Sequence, residues 1–354
     1  MKRGFILLLV LAVFISSTFA TSIECDSLLV LGTQQIKVEN YQNALETYQN
    51  LIQSYPNYPV GYFCLAGVYQ TIMRNYRVST YETEFDSLIN IAIDIGEQTI
   101  KHTDDDVFAR LYLGKSYGYR GLHQSRKGNW ISAINDGRKG IGLIQMALEA
   151  DTSLYDAYCW IGSYHYWRAV KTKISGFIFR NDKEKGIDEI RWAIQKCPFI
   201  AVDGKYNLVA IYYHKGDYEQ ALKMNQEIFV QYPTNPSCLY MRSRIYEELE
   251  NWPKARESIF CLLNHLNKSE YQSTGYQIEC LYRLSLYEYR MDNSVKSYDY
   301  LKQAYQLLKK RDESRELEGP LETFEDIVEE MGKLHLALEE VRRVGSVEKQ
   351  SHSS

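Results

Sequence analysis

Few residues in this chain of 354 residues are arranged as a nucleotide or metal site would require. The segment 114–116 reads Gly-Lys-Ser, like the end of a phosphate-binding P-loop, but that motif needs a further glycine where this chain has Ala109. The segment also falls within a predicted helix rather than after a strand. Residues 104–106 are three aspartates that precede a predicted helix, where carboxylates cap backbone N–H groups. We therefore interpret them as a helix cap rather than a cation site.

The histidines and cysteines also lack the spacing of a catalytic or zinc centre. No HExxH pattern or pair of histidines four residues apart is present, and no two of the seven cysteines lie within four residues. Three cysteines fall in apolar helical stretches and are expected to be small buried side chains: Cys64, Cys159 and Cys261. No nucleophile elbow occurs. The sequence thus predicts a protein that is not an enzyme, with no cofactor and no bound metal.

Composition narrows the class of partner. The net charge is −4, which gives no general reason to expect nucleic-acid binding. Seven prolines suit long helices, and 30 tyrosines provide many side chains with an apolar ring and a polar tip. Such side chains favour half-exposed binding surfaces.

The first 20 residues predict a secretory signal peptide. Lys2 and Arg3 precede an apolar run over residues 5–15, and a stretch of small residues ends at Ala20. No later stretch approaches the roughly 20 apolar residues of a transmembrane helix. We expect residues 1–20 to be removed and the mature chain to be periplasmic or extracellular.

Self-similarity at a spacing near 34 residues indicates the fold. Three segments, beginning at Cys25, Val202 and Pro236, repeat large apolar and small residues at matching positions of two successive helices. The first of them contributes Leu28, Leu31, Gly32, Ala44, Tyr48 and Pro56, with Gln35 and Leu51 departing from the pattern, and the second contributes Leu208, Tyr212, Ala221, Ile228 and Pro233. Such a unit cannot bury its apolar face alone, so the units must stack.

The middle of the chain keeps this pattern with 12 to 14 additional residues in each unit, roughly four helical turns. The sequence therefore predicts an all-α solenoid of about seven helix pairs, with lengthened helices in the central units and a C-terminal capping helix. The predicted segments are a first unit at 24–60, three extended units at 61–198, two regular units at 202–268, C-terminal helices at 270–344, and a disordered tail at 345–354.

These repeats resemble those of the tetratricopeptide-repeat superfamily. The extended centre, which includes residues 156–158, 162–167, 171–173 and 182–187, resembles a group of exported bacterial proteins of that superfamily. It is more loosely similar to a mitochondrial outer-membrane repeat family implicated in lipid-related processes. The resemblance implies architecture and no particular activity.

In tetratricopeptide repeats the first helix of each pair lines the concave side, and the resemblance therefore implies a set of groove residues. They are Phe63, Phe108, Lys115, Tyr119, Tyr166, Trp167, Tyr206, Tyr213, His214, Tyr240 and Arg244. Aromatic and arginine side chains are frequent binding hot spots. The alternative is that the lengthened helices or the C-terminal segment fill this channel as ordinary core.

A second candidate surface is a basic extension formed by the lengthened helices. Its residues are Arg120, Arg126, Lys127, Lys171, Lys173 and Arg180. A basic tip could meet an anionic membrane surface or lipid, whereas a solvated helix face would carry the same charges without binding anything.

Two functions remain open at this stage. The first is a non-catalytic exported scaffold that binds a protein or peptide partner through the aromatic groove, possibly within a cell-envelope assembly. The second is a carrier of lipid or another small ligand whose channel is closed by the central extension.

Overall fold

The computed structural model describes residues 27–103, 105–171 and 180–351, with side chains at all of these positions except 171, 180, 181 and 344–351. This part of the chain consists of paired helices, which confirms the predicted all-α solenoid. The first four pairs are α1 (27–37) with α2 (Tyr41–Ser54), α3 (Pro59–Tyr76) with α4 (Glu82–His102), α5 (Val107–Arg126) with α6 (Trp130–Ala150), and α7 (Tyr155–Lys171) with α8 (Arg180–Lys196). The last three are α9 (Ala201–Lys215) with α10 (Tyr218–Gln231), α11 (Pro236–Glu248) with α12 (Trp252–Lys268), and α13 (Thr274–Arg290) with α14 (Ser294–Leu308).

The helix ends follow local sequence signals. Side chains of Asp106, Asp217, Asn235, Asn251 and Ser273 each accept a hydrogen bond from a backbone N–H in the first turn of the helix that follows. This satisfies donors that a helix leaves unpaired at its start. The cap at Asp106 confirms the interpretation of the aspartate run for that residue, whereas Asp104 lies outside the described residues.

The turns inside the pairs share a backbone conformation. Each described turn from a first to a second helix has one residue with positive φ, and these residues are Glu39, Arg77, Gly128, Gly216, Glu250 and Asp292. Four of the six are not glycine, although residues with a Cβ resist this conformation. The repeat is therefore visible in the backbone conformation of six turns as well as in the amino-acid sequence.

The central helices are the lengthened ones, as predicted. Helices α3 to α6 have 18 to 21 residues, whereas α9 to α11 have 13 to 15. Glycines let the long helices approach closely: a Cβ added at Gly140 of α6 would lie 2.6 Å from the carbonyl oxygen of Gly114 in α5. Lys115 is therefore held in the middle of a packed helix, which excludes a P-loop there.

The C-terminal helix α15 (Phe324–Ser351) covers the end of the stack, as predicted. Ile327, Met331, Leu334 and Leu338 are its buried face, spaced by three and four residues. The prediction of a disordered tail at 345–354 is wrong up to Ser351, because the helix continues through Glu, Lys and Gln residues, which are good helix formers. None of the helices in the described ranges is both long and apolar enough to cross a membrane.

The N-terminal units are tied to the C-terminal ones by contacts between segments that are far apart in the sequence. Lys37 Nζ donates a hydrogen bond to the carbonyl oxygen of Phe199 (2.8 Å), and Glu39 lies 3.0 Å from His265 Nε2. After α3, the backbone pairs with a segment that precedes α15: Ser79 N donates to the Arg315 carbonyl (3.0 Å) and Leu317 N to the Arg77 carbonyl (2.9 Å). These contacts close the stack.

Candidate functional site: the inner wall

The first helices of the pairs, α3, α5, α7, α9, α11 and α13, form the inner wall of the solenoid, and the predicted groove residues lie on them. Closure of the stack divides this wall in two. We call the wall of α11 and α13 the filled half, because residues 77–79 and 311–322 cover it. The wall of α3, α5, α7 and α9 is the open half.

Arg77 is the centre of the filled half. Its guanidinium lies 3.7 Å from the ring centroid of Tyr276 and 4.6 Å from that of Tyr240, and it forms an ion pair with Glu279. The hydroxyl of Tyr240 donates to the other oxygen of Glu279 at 3.0 Å. Both members of this ion pair are buried, so each depends on the other for compensation of its charge.

A second buried ionic group continues the filled half. Arg244 Nη2 lies 2.8 Å from Glu322, and Arg283 lies 3.0 Å from Glu247 and 2.8 Å from Glu322. Burial raises the pKa of the Glu247 carboxyl against the opposing field of Arg244. Burial likewise raises the pKa of Glu322.

Two predicted groove residues therefore belong to the core of the closed stack. Tyr240 is 2% exposed and Arg244 is 5% exposed. Their positions on the inner wall are as predicted, but the expectation that they face a partner is wrong for this conformation. The segments that end α3 and precede α15 occupy that space instead.

The open half carries a stacked aromatic cluster. The rings of Phe63 and Tyr119 are 4.9 Å apart, and those of Tyr119 and Trp160 are 5.3 Å apart. Phe63 is buried beneath, whereas Tyr119 and Trp160 remain half-buried. This cluster joins α3, α5 and α7, and it leaves ring surface accessible from inside the solenoid.

Two arginines extend this half of the wall, and we call Arg74 and Arg126 the arginine pair. Arg74 follows Phe63 by eleven residues along α3, so it lies on the same helix face, and Arg126 is the last residue of α5. Both side chains are exposed, and neither has a hydrogen-bond or ion-pair partner among the described residues. Arg126 belongs to the predicted basic extension, whereas Arg74 was not predicted, although extending the concave stripe along the lengthened α3 would have reached it.

Surrounding protein atoms and a neighbouring charge both act on Arg126, although its side chain is exposed. Burial by the surrounding wall, together with the charge of Arg74, lowers the pKa of Arg126 to about 10. Burial raises the pKa of Tyr119 to about 12, although both arginines oppose this shift. The Tyr119 hydroxyl thus lies within the field of both guanidinium groups.

Helix α9 contributes the facing side of this region. Tyr206 is half-buried, and its hydroxyl is a buried atom with no hydrogen-bond partner among the described residues. Burial raises the pKa of Tyr206, with Arg74 acting in the opposite direction. Asp203, one turn earlier, is exposed and influences both Tyr119 and Tyr206.

The remaining predicted groove residues make local contacts. Phe108 stacks on Tyr58, and Lys115, which is buried, pairs with Asp156. Tyr166 is fully buried and hydrogen-bonds to His214 Nδ1 at 2.9 Å; Trp167 packs edge-on to the same histidine. Tyr213 stays half-buried and donates to Glu248 at 2.9 Å. Of this group, Phe108, Trp167, Tyr213 and His214 retain accessible surface, whereas Lys115 and Tyr166 are core residues rather than groove residues.

The basic extension is largely neutralised where the structure describes it. Arg120 makes two hydrogen bonds of 2.8 Å to the carboxylate of Asp136, and Lys127 lies 3.2 Å from Glu82 and 3.5 Å from Asp86. In the predicted basic extension, Arg120 is therefore neutralised by Asp136 of α6, and Lys127 by Glu82 and Asp86 of α4. Lys173 and the side chains of Lys171 and Arg180 lie outside the described residues.

The cysteines do not provide a reactive centre in the described part of the chain. The six described ones form no disulfide with one another: Cys64, Cys159, Cys197, Cys238, Cys261 and Cys280. Burial raises the pKa of Cys159 and of Cys238 to about 12, which disfavours their thiolate forms.

Comparison with known proteins supports the architecture. A family model described as tetratricopeptide repeat matches residues 26–58. A search of curated proteins finds no match. The structure is similar to a chain of the Cut9–Hcn1 hetero-tetramer of APC/C, with a TM-score of 0.52 at 11% identity over 79% of this chain and 46% of that one.

Two further solved structures are less similar. The type IV pilus biogenesis factor PilW gives a TM-score of 0.46 at 12% identity, over 68% of this chain and 91% of PilW. The C-terminal part of a repeat protein from Cytophaga hutchinsonii gives 0.43 at 19% identity, over 79% and 95%. The family match identifies a tetratricopeptide repeat at residues 26–58, and the other helix pairs share the solenoid architecture and, where described, the same turn.

Proposed function

We propose that the protein is a non-catalytic scaffold that holds a segment of a partner protein against the open half of its inner wall. The observation that carries this proposal is the accessible aromatic surface of Tyr119 and Trp160, which the open half presents on helices that also carry exposed cationic side chains. Aromatic and arginine side chains in a sheltered concavity are typical of residues that dominate protein binding.

Export is part of this proposal. A signal peptide at residues 1–20 would deliver the scaffold to the periplasm or the outside of the cell, where a cell-envelope assembly is the expected setting. A purified native protein should then begin near Thr21, and an intact Met1 on the exported protein would contradict this part.

The experiment is capture of partners by the mature protein from an envelope extract, with proteins and lipids both identified by mass spectrometry. Tyr119→Ala is the test variant and Tyr298→Ala, on the surface of α14, is the control. We expect Tyr119→Ala to weaken capture by about 2 kcal/mol or more while its melting temperature stays within a few degrees.

The outcomes separate the candidate functions. Equal capture by the wild-type protein and by Tyr119→Ala would contradict binding at the open half. Recovery of a stoichiometric lipid or other small ligand, with no enriched protein, would instead indicate the carrier function.

A further inference from the structure

A cleft of about 450 Å³ lies where the lengthened helices α4, α5 and α6 meet, and we call it the polar cleft. Helix α4 lines it with Asp86 and Asn90, and α5 lines it with Arg120 and Gln124. Residues four apart lie on one face of a helix, so each of these pairs belongs to a single helix face. The polar cleft shares no residue with the aromatic cluster of the inner wall.

Helix α6 completes the polar cleft with Ser132, Asn135 and Asp136, so every lining residue is polar. Sites for small molecules are usually lined mainly by apolar and aromatic side chains, with a few polar groups among them. A lining without apolar side chains offers little to a lipid. It favours a ligand that forms hydrogen bonds over most of its surface.

Hydrogen bonds across the three helices fix the walls of the polar cleft. Arg120 donates two hydrogen bonds of 2.8 Å to the carboxylate of Asp136 on α6, and one of 3.0 Å to the side-chain oxygen of Asn90 on α4. The side-chain oxygen of Gln124 accepts a hydrogen bond of 2.8 Å from Asn129. Both amide groups are thereby oriented, and each keeps N–H donors for a ligand.

Other groups of the polar cleft are unused in the described part of the chain. Ser132 and Asn135 are exposed and form no side-chain hydrogen bond there. The carboxylate of Asp86 has only long contacts, 3.5 Å to Lys127 Nζ and 3.7 Å to His123 Nε2. That imidazole nitrogen is buried without a hydrogen-bond partner among the described residues, which is unusual for a buried polar atom. A ligand hydroxyl beside Asp86 would provide the missing partner.

The charges leave no cation free to hold an anion. Both cations of the polar cleft and its ion pairs, Arg120 and Lys127, lie within 3.5 Å of carboxylates. Those carboxylates outnumber the cations by one, and the next charged groups along the same helices add two of each sign. The carboxylates are Glu82, Asp86 and Asp136, and the further charged groups are Asp94, Glu97, Arg126 and Lys139. An organic cation would in turn meet the arginine and the lysine.

A ligand that both donates and accepts hydrogen bonds without a net charge therefore fits best, and a hydroxyl group does both. We propose that the polar cleft binds a neutral saccharide, with Asp86 accepting hydrogen bonds from ring hydroxyls and the amides of Asn90, Gln124 and Asn135 donating to sugar oxygens. The cleft volume lies within the range of small-molecule sites, about 300–1,000 Å³. Because no aromatic ring is among its lining residues, we expect a dissociation constant on the order of 1 mM.

The test uses the full mature protein and saturation-transfer NMR, which detects weakly bound ligands directly. The probes are glucose, galactose, mannose and N-acetylglucosamine, with galacturonate as an anionic sugar and spermidine as an organic cation. We expect at least one neutral sugar to receive magnetisation from the protein, and titration to give its dissociation constant.

The variants are Asp86→Asn, Asn135→Ala and, as a matched control, Gln145→Ala, which is exposed on α6 outside the polar cleft. Loss of a charged acceptor should weaken sugar binding about 10-fold or more in Asp86→Asn, and loss of a neutral donor about 3- to 10-fold in Asn135→Ala. Gln145→Ala should bind as the wild type does. Because Asn135 is exposed and makes no side-chain hydrogen bond to the described chain, Asn135→Ala should melt as the wild type does, which separates lost binding from lost structure.

Three results would overturn the inference: no neutral sugar binds, Asp86→Asn and Asn135→Ala bind the sugar as the wild type does, or Gln145→Ala weakens binding as much as they do. Spermidine or galacturonate binding in the absence of any neutral sugar binding counts among the first. The proposed function is judged separately, because Tyr119→Ala should bind sugar as the wild type does. Loss of sugar binding in Tyr119→Ala would place the sugar on the inner wall and reject the polar cleft, whereas failure to capture a protein partner would leave the polar cleft unaffected.

Discussion

The filled and open halves of the inner wall are built from equivalent helices, yet their side chains have opposite surroundings. In the filled half, Arg77 is buried between two tyrosine rings and paired with Glu279. In the open half, Arg74 lies three residues earlier, in the last turn of α3, and is exposed without a partner in the described chain. Position in the repeat therefore decides which way a side chain points, and contacts distant in sequence decide whether it meets solvent or protein.

The largest expected difference between the halves concerns these two arginines. Arg77→Gln removes one member of a buried ion pair and leaves Glu279 uncompensated, which should lower the free energy of unfolding by about 3–5 kcal/mol. The matched substitution Arg74→Gln should change it by no more than about 0.5 kcal/mol, as is usual for an exposed residue. Urea denaturation of the two variants measures both values. Similar losses in the two variants would show that the open half is also closed core.

The second prediction tests the close packing of α5 against α6, beside the open half. Gly140→Ala in α6 would place a methyl group 2.6 Å from the Gly114 carbonyl oxygen, and overpacking of this kind costs about 1–3 kcal/mol. Gly142 of the same helix has open space around it, so Gly142→Ala should stabilise the protein by up to about 1 kcal/mol through helix propensity. Thermal melting should separate the two variants in opposite directions, and a loss in both would contradict the close crossing of α5 and α6.

How far the sequence predicts this molecule depends on the range of the contacts involved. Helix pairs, their lengthening and the capping helix follow from periodicities within about 50 residues. The inner-wall positions of Tyr119, Tyr206 and Tyr240 follow from the same register. Closure of the stack cannot be predicted from this register, because Val78 pairs with Glu316 and no local sequence pattern links the two segments.

The charge of the basic extension also depends on contacts that the local sequence does not predict. Counting charges along residues 118–139 suggests a cationic tip, but the acidic partners of Lys127 lie on α4, about 40 residues earlier. A charge count along one segment does not include the charges of a neighbouring helix that packs against it.

The third prediction compares two tyrosine hydroxyls. Tyr240→Phe removes the hydrogen bond of 3.0 Å to the buried carboxylate of Glu279, which should cost about 1.5–3 kcal/mol because the acceptor is charged. Tyr119→Phe removes a hydroxyl that forms no hydrogen bond in the described structure, and its effect should stay within about 0.5 kcal/mol. Chemical denaturation of both variants tests the difference. A cost at Tyr119 equal to that at Tyr240 would indicate a buried network in the open half.

The smallest expected effect is a gain in the free energy of unfolding rather than a loss. Arg126 is repelled by Arg74, so Arg126→Gln relieves an unfavourable interaction and should raise the free energy of unfolding by about 0.5 kcal/mol, the scale of exposed charge pairs. Because salt screens exposed charges beyond about 10 Å at 0.1 M, the gain should shrink as ionic strength rises. Urea denaturation at low and high salt measures this, with Arg138→Gln as the control of equal charge change. A loss of stability in Arg126→Gln at every salt concentration would mean that this guanidinium supports the fold, and the open half would then be maintained by its cations instead of merely tolerating them.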